Sequence, residues 1–168
     1  MEATLTLYRT GYSGLQIGLH WLIVAMVAVQ LLIGENMAEM IEAAEEGEVA
    51  SPEDVLWGNV HLWLGIAILV IMLVRLFLRL AQGAPQHAGD ASPLTKLAAS
   101  ALHGTLYVVL LAAPISGLVA YYGLADTGEL HEASRPILIV LVLLHALAAI
   151  YNQFVRKDGT LSRMLRPQ

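Results

Sequence analysis

The chain has 168 residues, of which 57 % are hydrophobic and 14 % charged, with mean hydropathy +0.65, no cysteine and a formal net charge of −5. A soluble domain is about 45–50 % apolar and about 25 % charged, so too few polar residues remain here to cover a water-facing surface. The lack of cysteine excludes disulfides, thiolate-held iron–sulfur clusters, c-type haem attachment and a zinc ribbon, and the acidic balance argues against a nucleic-acid partner.

The apolar residues fall into four runs. The first covers about Leu15 to Gly34, and the second about Val55 to Val74. The third covers about Leu97 to Tyr121, and the fourth about Pro136 to Val155. Each is long enough to cross a hydrocarbon core, which takes about 20 helical residues. The runs are continuous rather than alternating, so helices are expected and a barrel is not. The fold class is therefore all-α, a transmembrane four-helix bundle in a single membrane domain, with Pro114 expected to kink the third helix. The first run is longer than a signal-peptide core and is read as a retained span.

Between the first two runs lies an acidic segment, Glu35 to Glu53, rich in Glu and Ala and expected to form a short surface helix. Ala81 to Pro93 reads as a Gly/Pro connector, with His87 an ordinary surface residue. Charge sets the expected topology. Arg9, Arg75, Arg79, Lys96, Arg156, Lys157, Arg163 and Arg166 fall on one side, and Arg135 alone of the basic residues falls on the other. The second side carries eight acids from Glu35 to Asp54, joined by Asp126, Glu129 and Glu132. By the positive-inside rule both termini are cytoplasmic, in a multi-pass membrane protein.

Four of the six histidines lie in these spans: His20, His61, His103 and His145. A histidine at membrane depth is costly, and one in each span points to a metal ion, a proton relay or haem ligation. Taken singly, each also fits a plain polar contact between helices. His131 and His145 are 14 residues apart, about 21 Å along a helix and nearly four turns, so they share a face. That interval suits two planar cofactors stacked across the membrane, not one compact metal site. Adding 14 to His20 gives Gly34, which leaves room for a second cofactor. Adding 14 to His61 gives Arg75, either a partner for a cofactor carboxylate or a snorkelling anchor.

These residues resemble the bacterial cytochrome b561 family of membrane di-haem proteins. The resemblance runs through YSGLQIGLHWL (Tyr12 to Leu22), VHLWLGIAILVIMLVRLFLRL (Val60 to Leu80) and HGTLYVVLLAAPISGL (His103 to Leu118). It continues in His131–Glu132, in LHALAAIY (Leu144 to Tyr151) and in KDGTLSRMLRP (Lys157 to Pro167). It implies two haem b groups, each held by two histidines: His20 with His145 for the inner one, and His61 with His131 for the outer one. The fourth span would then begin near Asp126, giving spans of about 15–34, 55–78, 97–121 and 127–155. Depth alone allows a rival arrangement, His20 with His103 and His61 with His145, which leaves His131 on the surface. In the first arrangement His103 lies beside the inner haem, as a propionate partner or part of a quinone pocket.

The resemblance further implies electron transfer across the membrane and exchange with the quinone pool, ubiquinone being the expected partner. Arg75, Arg79 and Arg135 would neutralise haem propionates. Arg75, Arg79, His103, Tyr151, Asn152 and Gln153 are candidates for an inner quinone site. Related proteins often carry paired histidines where this chain has Tyr151-Asn152-Gln153, which puts the proton-handling group of that site in doubt. Some members look like superoxide:ubiquinone oxidoreductases, although eleven outer acids would oppose long-range steering of an anion. A cationic periplasmic redox partner would be attracted instead. A metal or proton transporter using the same histidines is the alternative from another class.

Overall fold

A computed structural model describes residues 11–83 and 92–167. His87, Arg9 and most of the Ala81–Pro93 connector therefore lie outside the described residues. Four long helices account for most of the rest: α1 (Gly14–Glu45), α2 (Pro52–Gln82), α3 (Pro93–Tyr121) and α4 (Gly128–Phe154). A 3₁₀ turn, Ser162–Met164, follows α4. All four helices are long and apolar enough to cross a membrane.

The helix starts follow from local chemistry. Ser13 and Gln16 form a capping box on α1. Ser51 and Ser92 cap α2 and α3, each followed by a proline in the first turn, where its missing N–H is not needed. The first helix runs on to Glu45, eleven residues past its apolar run, so the expected separate surface helix is a continuation of α1. Nothing between Gly34 and Glu45 breaks a helix, and Ala, Glu and Met are good helix formers. Gly47, at φ 73°, ends it: Glu48 N–H donates to Ala43 O at 2.8 Å across the left-handed glycine. At the far end of α3, Gly123 serves the same purpose, with Leu124 N–H on Val119 O.

The fourth helix begins at Gly128, so the polar stretch Gly128 to Arg135 is helical and contains His131. Thr127 Oγ1 donates to Ser116 O at 2.8 Å and ties this start to α3. The buried core is small: Ile23 and Val27 of α1 meet Ile68 and Met72 of α2, with Tyr107, Leu110 and Leu111 of α3 against them. In sequence, Ile23 and Val27 fall between His20 and Gly34, and Ile68 and Met72 between His61 and Arg75. The close helix pairs are α1–α2, α3–α4 and α2–α3, whereas α1–α4 and α2–α4 approach only sparsely. Large apolar side chains face outward, with Leu32 78 %, Phe77 68 % and Leu147 60 % exposed. Such a continuous apolar exterior would aggregate in water and matches a lipid environment.

Candidate functional site

The histidines collect at two levels. At the level nearer the chain termini, His20 of α1 and His145 of α4 have ring centres 6.1 Å apart. His103 of α3 joins them, its ring centre 5.1 Å from that of His145. Its Nδ1 donates to Ala99 O at 2.6 Å, because a carbonyl can only accept, which makes Nε2 the acceptor nitrogen. Arg75 of α2 is an electrostatic neighbour of His20 and of His145. Its Nη1 is buried and has no hydrogen-bond partner among the described residues.

At the second level, His61 of α2 and His131 of α4 have ring centres 6.0 Å apart, with their planes at 87°. His131 is half-buried against α3 rather than on the surface. Its Nδ1 donates to Ala113 O at 2.8 Å, and this fixes the tautomer and leaves the Nε2 lone pair for a ligand. Gly117 makes the approach possible: a Cβ there would lie 2.8 Å from the His131 ring. Gly34 faces the same level, where a Cβ would lie 3.9 Å from His61 Cε1. Gln30 reaches across from α1, its Nε2 donating to His61 O at 2.9 Å. Gln30 Oε1 and His61 Nδ1 are buried without hydrogen-bond partners among the described residues.

A cavity of about 1180 Å³ opens here, bounded by Gln30, His61, Gly65, Pro114, Gly117 and His131. Its mouth carries Glu42, Glu45, Asp126 and Glu132. Small-molecule and cofactor pockets are usually about 300–1,000 Å³, so the space suits a large, mostly apolar guest.

The other predicted residues lie elsewhere. Arg79 sits over the Tyr107 ring at 5.5 Å and so turns toward α3. Arg135 forms a solvent-exposed ion pair with Glu35, 3.5 Å apart, joining α4 to the upper part of α1. Gln153 Oε1 accepts from the backbone N–H of Leu161 at 3.1 Å and of Ser162 at 3.3 Å, which commits it to the C-terminal turn. Tyr151 is exposed. Sequence reasoning missed Gln30, Ala113 and Gly117. Gln30 was findable as a lone amide in an apolar run, whereas Ala113 and Gly117 act through a contact between two helices that no local pattern announces.

Among the described residues, no three His, Cys, Asp or Glu side chains converge as a compact metal cage requires. The two pairs have a different geometry. Two imidazoles bonded on opposite sides of one metal ion, at about 2 Å each, have ring centres about 6 Å apart. Both pairs match that spacing, and both bridge the sparse helix pairs, where a flat group has room between backbones. An Nε2 on His131 left available by its Nδ1 bond, the His131 ring seated against Gly117, and a buried Arg75 Nη1 without a hydrogen-bond partner among the described residues all fit a metalloporphyrin with carboxylate substituents.

Residues 11–167 match the family model described as prokaryotic cytochrome b561. Cytochrome b562 of Cereibacter sphaeroides is 36 % identical over 160 residues, covering 94 % of this chain and 97 % of the relative. A probable superoxide oxidase of Yersinia pestis is 30 % identical over 176 aligned positions, covering 92 % of this chain and 95 % of the relative. Cytochrome b561 homolog 2 of Escherichia coli K12 is 31 % identical over 130 residues, covering 64 % of this chain and 69 % of the relative.

Proposed function

The chain belongs to the prokaryotic cytochrome b561 family, and from that premise we propose that it carries electrons across the membrane through two bis-histidine haem b groups and exchanges them with the quinone pool. Electron transfer by a multi-pass membrane cytochrome b follows from the family itself. The haem number, the ligands and the quinone are our reading. The observation that carries it is the pair of 6 Å histidine contacts, one at each end of the same face of α4.

In this reading His20 and His145 hold the haem near the termini, and His61 and His131 hold the other. A haem held by each histidine pair would supply one-electron exchange rather than oxygen or substrate chemistry. The chain's own residues do the rest. Ala113 O holds the His131 Nδ1 proton and so orients the ring. Gln30 ties α1 to the backbone of His61 and limits the drift of α2 at the second level. Arg75 supplies a fixed positive charge beside His20 and His145, which favours an anionic substituent there and raises the ease of reduction nearby. With Nδ1–H committed to Ala99 O, His103 Nε2 next to His145 is placed to take a proton from a quinol that gives up its electrons at the basic end. Ile23, Val27, Ile68 and Met72 exclude water between the two levels. The basic end faces the cytoplasm in this reading, by the distribution of Lys and Arg.

The test is a redox titration of the purified protein with ubiquinol as donor. The reading requires a b-type spectrum that titrates in two components and is reduced by the quinol. A second reading, superoxide:ubiquinone oxidoreductase, takes its support from the Yersinia pestis relative. It requires haem reduction by superoxide at a near-diffusional rate, followed by reoxidation on adding ubiquinone.

A further inference from the structure

Helices α1 and α4 carry the terminal-end pair yet approach each other only sparsely, so something other than helix packing must hold His20 and His145 at their spacing. Among the described residues, a specific polar connection at that end runs through the chain after α4. The chain reverses at Lys157 and Gly159, both with positive φ, at 55° and 76°. Asp158 Oδ1 accepts from Thr160 N–H at 2.9 Å and closes the turn. Gln153, on the last turn of α4, then receives the N–H groups of Leu161 and Ser162. The segment returns to α1, where Trp21 Nε1 donates to Met164 O at 2.8 Å, across 143 residues of sequence. Pro167 reaches the first residue of that helix: a Cβ on Gly14 would lie 3.7 Å from its ring.

We propose that Trp21 is a positioning residue, whose bond to the Met164 carbonyl makes the C-terminal turn a strap from α4 to α1 that fixes the spacing of His20 and His145. Trp21 follows His20 directly, and the two rings meet edge to face at 5.4 Å, so a change in the indole's anchor is felt at the histidine. Gln153 anchors the other end, eight residues beyond His145. At the far end, α1 and α4 are joined by the Arg135–Glu35 side-chain ion pair, exposed as the Trp21–Met164 bond also is, and such surface ion pairs contribute little. The inference rests on the reading of His20 and His145 as haem ligands.

The experiment has a readout that does not need haem. Spin labels on Leu15→Cys and Phe154→Cys, at exposed positions of a chain with no native cysteine, report the α1–α4 distance. Trp21→Phe keeps the ring and removes the N–H. It should broaden or lengthen that distance distribution, and an unchanged distribution overturns the strap. In holoprotein, Trp21→Phe should speed haem loss to a haem-scavenging protein about fivefold for one component only, the equivalent of one hydrogen bond of about 1 kcal/mol. The faster component must be the one absent in His20→Ala. Equal acceleration of both components, or of the other one alone, overturns the proposal. Gln153→Leu should act on the same component, with Gln153→Glu restoring it, because a carboxylate oxygen still accepts both N–H groups. Wild-type protein without two bis-histidine signals overturns the functional reading, a failure visible before any variant is made, while the label distances still judge the strap on their own.

Discussion

The rings of His61 and His131 come from two helices that barely touch, and their centres lie 6.0 Å apart. That spacing depends on the wall behind His131. Its Nδ1 reaches Ala113 O only because residue 117 has no side chain. A Cβ at Gly117 would stand 2.8 Å from the ring, which is held by its hydrogen bond and cannot swing aside cheaply. Gly117→Ala should therefore weaken haem binding at this level by about tenfold or more, through about 1–3 kcal/mol of overpacking. Gly18→Ala, at an exposed position of α1 where a Cβ would meet nothing within 4 Å, should leave it nearly unchanged. Haem dissociation rates of the two variants check the contrast.

His103 sits beside His145, with ring centres 5.1 Å apart, and in the proposed reading it takes the quinone proton rather than holding a haem. Replacing it with Ala should keep both haems and their low-spin spectra while slowing reduction by ubiquinol, by about 10²-fold if it carries the quinone proton. The loss should be largest where proton transfer limits the rate. Stopped-flow reduction across a pH series measures this, and loss of one haem in His103→Ala would instead favour its role as an axial ligand.

The acidic end carries Glu42, Glu45, Asp126 and Glu132 around the cavity mouth. Surface charge acts on the encounter with small donors and is screened beyond about 8–10 Å at ordinary ionic strength. Reduction through this end by an anionic reductant should speed up as salt rises, and reduction by a cationic one should slow down. Rates from about 20 to 300 mM salt give the sign directly.

Arg135 and Glu35 are exposed, and their ion pair is 3.5 Å long. Glu35→Gln should change the melting temperature little, because such pairs contribute about 0–1 kcal/mol. Trp21→Phe at the opposite end should cost more, because its hydrogen bond returns the tail to the bundle. Thermal melts of the two variants side by side rank the two ties.

Much of this arrangement was legible in the residues. Four apolar runs predicted four spans, and four helices apolar enough to be spans are present. The 14-residue interval between His131 and His145 predicted two levels on one face of α4, and the structure brings His61 to the first and His20 to the second. The same interval pointed to Gly34 and Arg75, which lie at His61 and at His20 respectively. Other features were hidden because they depend on contacts far apart in sequence. Gly117 matters only once α4 packs on α3, and Trp21 meets Met164 across the whole chain. The length of α1 was misjudged for a different reason: hydropathy marks where a helix leaves the apolar layer, not where its backbone stops, and Gly47 sets that stop.

Haem content in the wild type and in His131→Ala tests the central claim most directly. Pyridine haemochrome analysis against protein concentration should give about two haem b per chain in the wild type and about one in His131→Ala, with the surviving haem still bis-histidine by electron paramagnetic resonance. One haem in the wild type, or two haems retained in His131→Ala, would contradict the account.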